Sequence, residues 1–326
     1  MSASMPPMTP TANAAEIAHP QYTLVGAPPE YLIPLDRPTL AEAQAWCRHL
    51  ATSHYENFHV ATFFLPPKVR PHFESVYAYC RVSDDLGDEV ADPIVATRLL
   101  NTWGDMLDEC YDNPARSMHP VFIALHETIR TCDLPRQLFA DLLHAFRMDQ
   151  IKVTYDTWEE LLEYSLYSAN PVGRLVLLVC GYKEESLALL SDKICTALQL
   201  ANFWQDVVED AERGRRYLPA DEMLRFGVDE GQILGRVFTP EFRALIESLV
   251  LRTRRMLHAG GQITAHVDKE LAVTLNLFRK GGDAILDGIT AQNYDVLRGR
   301  PVVTRLKKLS LLAGALLGKF KAGLSR

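Results

Sequence analysis

Apolar residues recur along most of the chain at the three- and four-residue steps of amphipathic helices. The pattern begins near residue 39, where Thr39 and Glu42 have the spacing of a capping box ahead of a helix. Further helix starts are predicted at Asp92-Pro93, His119-Pro120 and Leu134-Pro135. The prolines indicate helix starts, because proline is tolerated in the first turn of a helix and not in its interior.

No segment alternates apolar and polar residues over the length of a strand. The strand-like run at 175–180 follows Pro171 within helical surroundings, and 184–212 is predicted to be one long helix ending near Gly214. No linker or internal repeat divides the remainder. We therefore predict an all-α fold with a single domain over residues 39–326.

Prolines concentrate in the first 38 residues, which we predict to be a mobile leader. The prolines up to residue 36 are Pro6, Pro7, Pro10, Pro20, Pro28, Pro29 and Pro34. The segment also lacks the basic start and continuous apolar stretch of a signal peptide. We expect a cytoplasmic protein without a secretory leader.

Composition excludes several classes of protein. Of the 326 residues, 48% are hydrophobic and 23% are charged, which is ordinary for a globular protein. The net charge of −7 argues against a nucleic-acid binder, whose surface would be basic. The six cysteines are scattered, which is typical of reduced thiols, and no run of about twenty apolar residues predicts a membrane-spanning helix.

The C-terminal segment differs in charge from the rest of the chain. After Asp295 every charged residue is basic, and these residues flank the apolar run 309–317. A basic amphipathic helix can lie on an anionic membrane surface, here the inner face of the membrane. It can equally pack its leucines on the core, as most amphipathic helices do. Both interpretations stay open.

Two acidic clusters stand out against this background. The first contains Asp84, Asp85, Asp88 and Glu89, and the second contains Asn202, Asp206, Glu209 and Asp210. On helices, the four-residue steps within each cluster place its oxygens on one face. Like charges at that spacing destabilise an isolated helix by about 0.2–0.5 kcal/mol per pair. The residues four positions before Asp84 and Asp206 are Cys80 and Asn202, which offer no compensating cation, so we infer that the clusters bind a ligand.

The chemistry of the clusters favours a hard cation. Carboxylate and amide oxygens without nearby histidine or cysteine suit Mg²⁺, and neither cluster carries the Glu-x-x-His pairs of a di-iron bundle. Arg81 lies one turn before Asp85, and three arginines at 213, 215 and 216 follow Asp210. Because arginine pairs well with phosphate oxygens, a diphosphate held between metal ions fits both clusters. Taken alone, each cluster could instead be a solvated acidic face.

The two motifs "YCRVSDDLGDE" and "QLANFWQDVVEDAERGRRYLP" resemble the squalene/phytoene synthase family, and the resemblance covers about residues 39–320. It implies a class I isoprenoid (terpenoid) synthase fold, a helical bundle with a central cavity. Each of two opposing walls would carry one Asp-rich motif. Together they would bind two or three Mg²⁺ ions and a prenyl diphosphate.

The resemblance also implies roles for individual residues. The implied metal ligands are Asp84, Asp85, Asp88, Asn202, Asp206 and Asp210. All of these aspartates except Asp85 are also implied to be catalytic. The implied substrate-binding residues are His54, Asn57, Phe58, Tyr77, Arg81, Gln199, Arg215 and Tyr217. Tyr164 matches a polar position of the cavity, as does Gln199, and both Tyr164 and Asn170 are assigned a catalytic role. Without the family, His54 would be interpreted as a surface or capping residue, and Tyr77 and Phe58 as core.

Two segments depart from the common family pattern. Tyr55 and Asn57 replace serines after the pocket histidine, and "YSANPVG" at 167–173 replaces an Ala-Gly-Thr-Val-Gly segment. Both variants resemble the bacterial hopanoid-pathway branch of hydroxysqualene synthases. That branch ionises presqualene diphosphate, rearranges the cation and captures it with water, so NADPH is not expected. Asn170, Tyr164 and His54 are the candidates for positioning the water.

Other outcomes stay open within the same fold. The chain could condense two farnesyl diphosphates to presqualene diphosphate or squalene, or two geranylgeranyl diphosphates to phytoene. A catalytically inactive helical protein that binds prenyl lipid or membrane is an alternative from another class. The sequence does not determine the oligomeric state.

Overall fold

The computed structural model describes residues 22–53 and 65–302, and within these ranges the chain is built from helices without a strand. The α-helices are α1 Leu40–Ser53, α2 Arg70–Asp88, α3 Pro93–Asp112, α4 Pro120–Cys132, α5 Arg136–Met148, α6 Trp158–Ser168, α7 Asn170–Val179, α8 Glu185–Gln205, α9 Val207–Glu212, α10 Ala220–Phe226, α11 Glu230–Leu234, α12 Pro240–Gly260 and α13 Lys269–Ala291. An isolated bridge joins Thr154 to Arg216. The predicted all-α class is confirmed.

The predicted helix starts are confirmed by their capping contacts. The Thr39 backbone N–H donates to Glu42 Oε2 at 2.8 Å, and the Glu42 N–H donates to Thr39 Oγ1 at 3.3 Å. Helix α3 begins after Asp92, whose carboxylate accepts from the Ile94 N–H at 2.9 Å. Helix α4 begins after His119, whose ring accepts from the Val121 N–H, and α5 begins directly after Pro135. Proline and polar caps therefore fix these starts locally.

The predicted long helix at 184–212 is wrong in one respect. The chain leaves helical geometry at Asp206, with φ −106° and ψ 18°, so α8 and α9 are separate helices. Backbone hydrogen bonds between residues four apart nevertheless continue across this point. The Asp206 N–H donates to the Asn202 carbonyl at 2.9 Å, and the Asp210 N–H donates to the Asp206 carbonyl at 2.8 Å. The second acidic cluster consequently lies at a junction between two helices.

Part of the segment predicted to be a mobile leader is packed on the bundle. Leu24 and Tyr31 are buried in the core, and Arg37 Nε donates to the Ser117 carbonyl at 2.9 Å. These anchors outweigh the effect of the prolines between residues 22 and 38, because burying two large apolar side chains is worth several kcal/mol. Residues 1–21 lie outside the described ranges.

The two acidic clusters belong to different groups of helices. Helix α2 packs against α1, α3, α4 and α5, whereas α8 packs against α6, α7, α12 and α13. The groups meet where α7 contacts α2 and where α6 contacts α5. The fold therefore places the clusters on different walls.

Within the described ranges, no helix is long and apolar enough to cross a bilayer. The basic segment lies beyond them from residue 303 onward, so its membrane contact stays a prediction.

Candidate active site

The first acidic cluster occupies the last turns of α2, and its middle residue has a structural role. Asp85 is buried, and its Oδ2 accepts hydrogen bonds from the Tyr31 hydroxyl and from Arg81 Nε, the latter at 2.9 Å. The Arg81 guanidinium also forms an ion pair with Asp85 Oδ1. Because both carboxylate oxygens are satisfied inside the protein, this geometry does not support the predicted metal-ligand role of Asp85. Asp85 instead orients Arg81.

Tyr31 was not predicted to belong to the site, because it lies far from α2 in the sequence. Burial, followed by its hydrogen bond to Asp85, raises the pKa of Tyr31 and keeps the hydroxyl protonated and donating. The short helix Pro29–Tyr31 places this side chain against α2. The packed segment at 22–38 therefore supports the first cluster from behind.

We predict that Tyr31→Phe lowers the free energy of unfolding by about 1–3 kcal/mol, because it removes a donor from a buried carboxylate. Urea or thermal unfolding measures this. Tyr22→Phe is the matched control in the same segment, since no hydrogen bond from its hydroxyl to a described residue is present, and it should change stability by less than about 0.5 kcal/mol. Equal losses in the two variants would contradict the role of Tyr31.

The second cluster pairs with an arginine near the end of the described chain. Arg300 Nε and its terminal nitrogen donate to the two oxygens of Asp206, at 2.5 and 3.0 Å. The adjacent Gln205 side chain donates to the Pro301 carbonyl. Arg300 was grouped by sequence with the basic C-terminal segment, and no local signal distinguishes it from its neighbours. The fold alone brings it to the site.

The ionised form of Asp210, in the second cluster, is disfavoured by its surroundings. Burial, and next the charge of Asp206, raise the pKa of Asp210 to about 7, while Arg215 and Arg213 lower it. Two neighbouring carboxylates that are poorly solvated do not readily ionise together, because their negative charges repel. A bound cation would relieve this repulsion. Asn202, by contrast, is exposed at the end of α8.

Arg215 joins the two clusters into one site. Its terminal nitrogen donates to Asp88 Oδ1 at 3.0 Å, across the gap between the two groups of helices. Burial, and next the charge of Asp149, raise the pKa of the Tyr217 hydroxyl, and Tyr217 also lies close enough to Asp210 and Asp88 for both to add to the shift. The sequence prediction that both clusters face one site is therefore consistent with this ion pair.

An aromatic stack lies beside the charged residues. The rings of Phe203 and Tyr217 are parallel within 7° and their centroids are 3.8 Å apart. A cavity of about 240 Å³ borders this stack, and Asp210 and Arg215 also line it. Its other walls include Val207, Ile233 and Leu234. Charge and apolar surface thus adjoin, as a prenyl diphosphate would require.

The donor set fits a hard divalent cation, although the carboxylates are spread apart. Among the described residues, no three histidine, cysteine, aspartate or glutamate side chains lie close enough together to hold a metal ion. Two of these carboxylates are paired with arginines instead: Asp88 with Arg215, and Asp206 with Arg300. Oxygen donors alone, with the repulsion at Asp210, nevertheless suit Mg²⁺. Asp84, Asp88, Asp206 and Asp210 are the residues that could hold it.

The remaining predicted residues are distributed around this centre. Tyr164 is buried on α6 and donates to Asp149 Oδ2 at 2.8 Å. Asn170, the first residue of α7, accepts from the Thr196 hydroxyl at 2.9 Å. Tyr77 is buried on α2, and Gln199 is half-buried on α8. His54, Asn57 and Phe58 lie outside the described residues.

Fold and site together define a helical isoprenoid synthase. A sequence profile described as squalene/phytoene synthase matches residues 37–307. The chain belongs to the squalene/phytoene synthase family, and the resemblance inferred from the motifs is confirmed. This family consists of prenyltransferase-type synthases that bind prenyl diphosphates, so the chain is an enzyme of that kind.

Several relatives resemble the chain over most of its length. Phytoene synthase 3 from Zea mays is 30% identical over 295 residues, which cover 87% of this chain and 68% of the relative. Phytoene synthase from Arthrospira platensis is 29% identical, covering 84% and 92%.

Two solved structures share the fold. Squalene synthase HpnC from Alicyclobacillus acidocaldarius is 43% identical and covers 78% of this chain and 95% of its own, with a TM-score of 0.74. A dehydrosqualene synthase in complex with a ligand has the same TM-score at 24% identity, covering 85% of this chain and 96% of its own. At that identity, the second structure supports the fold alone.

Proposed function

We propose that this chain is a Mg²⁺-dependent hydroxysqualene synthase. It ionises presqualene diphosphate, allows the cyclopropylcarbinyl cation to rearrange and captures it with water, without NADPH. The observation that carries the proposal is the 43% identity to HpnC, compared with 28–30% for the phytoene synthases above and their plant relatives. This difference favours squalene-type chemistry. The variant segments "HYENF" at 54–58 and "YSANPVG" at 167–173 resemble those of the hydroxysqualene synthase branch, and this resemblance favours water as the final nucleophile.

The charged residues serve the leaving group. Arg215 and Arg81 are held in place by carboxylates and can donate hydrogen bonds to diphosphate oxygens. When bound by Asp84, Asp88, Asp206 and Asp210, Mg²⁺ supplies positive charge that stabilises the departing diphosphate. Preorganised charge in a site shielded from water is commonly a large catalytic contribution.

The apolar part of the site suits the cation left behind. Aromatic faces can each stabilise a cation by about 0.5–2 kcal/mol when they are desolvated. Phe203 and Tyr217 present such faces next to the cavity, and the ring of Tyr164 lies 6.2 Å from each of theirs. The aromatic cluster therefore adjoins the diphosphate end, where the cation forms.

The test is product identification with purified full-length protein and Mg²⁺. We expect labelled presqualene diphosphate to give an alcohol both with and without NADPH. Squalene that forms only with NADPH, or presqualene diphosphate formed from farnesyl diphosphate, would contradict the proposal. Incubation without Mg²⁺ is the control and should give no product.

Phytoene synthesis is the second candidate, favoured by the relatives at 28–30% identity over 83–87% of this chain. Geranylgeranyl diphosphate, offered in the same assay, separates the candidates. Phytoene from two molecules of this substrate would replace the first proposal.

A further inference from the structure

A half-buried carboxylate outside the acidic clusters has no assigned role in the leaving-group chemistry. Asp149 follows the last turn of α5, and its Oδ2 accepts the hydroxyl hydrogen of Tyr164 at 2.8 Å. Its Oδ1 is shielded from solvent and accepts no hydrogen bond from any described residue. Such an oxygen costs about 1–3 kcal/mol, so native proteins retain it where it serves a purpose.

The surroundings place this carboxylate beside the reaction centre. Charged and titratable groups from several elements lie near enough to interact with it electrostatically: Arg215, Asp88, Tyr155 and Tyr217. Burial raises the pKa of Asp149 to about 6, while the Tyr164 hydrogen bond and then Arg215 oppose the shift. Near neutral pH Asp149 is therefore mostly ionised and more basic than an ordinary aspartate.

The hydrogen bond also fixes the orientation of Tyr164. Since the hydroxyl hydrogen points to Asp149, the phenolic oxygen is left with its lone pairs, and no described residue donates to it. Its ring lies against Phe203 and Tyr217, which border the cavity. Of the other residues predicted to position water, His54 lies outside the described residues, and the Asn170 amide oxygen is already bonded to Thr196.

We propose that Asp149 is the positioning residue of the water-capture step, acting through Tyr164. It holds the hydroxyl hydrogen of Tyr164, so that the Tyr164 oxygen accepts a hydrogen bond from the attacking water. This inference rests on the proposed function and extends it to the fate of the cation.

The step balances without a redox partner. A lone pair of the water oxygen forms the C–O bond to the carbocation, which leaves a protonated alcohol. The Tyr164 oxygen accepts the released proton while its own hydroxyl proton moves to Asp149 Oδ2. The products are a neutral alcohol and a neutral Asp149 carboxylic acid, which returns its proton to solvent before the next turnover.

Two single variants and their combination test the proposal: Asp149→Asn, Tyr164→Phe and the double variant. Each is given presqualene diphosphate and Mg²⁺, and both diphosphate release and the ratio of alcohol to hydrocarbon products are measured. We expect diphosphate release within about threefold of wild type, because ionisation does not use the pair. The alcohol-to-hydrocarbon ratio should fall at least about tenfold, since a positioned base contributes that much or more. The double variant should lower it no further.

Tyr111→Phe is the matched control, because the Tyr111 hydroxyl donates to the Leu134 carbonyl away from the cavity. It should leave the ratio unchanged, and Asp149→Glu should restore part of the alcohol lost in Asp149→Asn. If Asp149→Asn does not fold, Tyr164→Phe still decides the question, because it keeps the carboxylate.

The outcomes separate the two proposals. Wild-type protein that forms no alcohol would overturn the proposed function and this inference with it. Wild-type protein that forms alcohol, while folded Asp149→Asn and Tyr164→Phe keep the wild-type ratio, would overturn only the inference. Loss of diphosphate release in a folded variant, in parallel with the loss of alcohol, would also overturn it.

Discussion

Asp210→Asn is expected to lower turnover by roughly 10²–10³-fold and at the same time to stabilise the metal-free protein at pH 8. The loss follows because one charged oxygen ligand beside the diphosphate site disappears. The gain follows because burial and Asp206 raise the pKa of Asp210 to about 7, so its ionised form is unfavourable in the folded state. Allowing for partial solvent screening, we expect the substitution to raise the free energy of unfolding by about 2 kcal/mol.

The pH dependence of this gain has a definite sign. Between the ordinary aspartate pKa and about 7, the folded wild-type protein binds more protons at Asp210 than the unfolded chain does. Its stability at this site therefore falls as the pH rises through that window. The advantage of Asp210→Asn should be absent near pH 4 and largest above pH 7, as measured by urea unfolding with a chelator.

Asp192→Asn is the matched control for this prediction. Asp192 is a carboxylate held by Arg174 on the α7–α8 surface, at 2.7 Å from its terminal nitrogen, and has no role in the site. Its replacement should leave turnover unchanged and should not stabilise the protein at any pH. An Asp210→Asn variant with wild-type turnover would show that Asp210 is not part of the active centre.

The second large effect is expected for Arg215→Lys, which should lower kcat/KM by about 10²-fold. Lysine keeps the positive charge but loses the planar guanidinium that reaches Asp88 at 3.0 Å and can contact two phosphate oxygens. Steady-state kinetics of diphosphate release measure the change. We expect both a higher KM and a lower kcat, because the contact serves the bound substrate and the leaving group.

Arg213→Lys is the control for the loss of an arginine in the same loop. Arg213 is exposed, whereas Arg215 is half-buried between the clusters. The Arg213→Lys variant should therefore retain activity within about threefold of wild type. Equal losses at the two positions would mean that general positive charge, and not the bridge from Arg215 to Asp88, supports the reaction.

Local signals in the sequence were sufficient for most of the helices. Proline at the first turn and the reciprocal bonds of Thr39 and Glu42 act within a few residues, so the sequence displays them directly. The break at Asp206 was not visible in the same way. Apolar periodicity continues through it, and the contact with Arg300 that accompanies the break comes from a distant part of the chain.

The candidate site was predictable where its residues form motifs and was missed where they do not. Asp84, Asp88, Asp206 and Asp210 are spaced at helical steps, which drew attention to them. Tyr31, Asp149 and Arg300 are single residues in unrelated segments, and only the packing of the bundle brings them to Asp85, Tyr164 and Asp206. The same packing gives Asp85 a structural role that its position in the motif had concealed.

The central claim is that both acidic clusters form one Mg²⁺ and diphosphate site. Calorimetric titration of inorganic diphosphate into the wild-type protein, with and without Mg²⁺, tests it most directly when repeated with Asp88→Asn and Asp206→Asn. We predict that diphosphate binds the wild-type protein only in the presence of Mg²⁺, and that either substitution, on either wall, weakens binding by at least about tenfold. Metal-independent binding, or loss of affinity on substitution of one cluster but not the other, would contradict the claim.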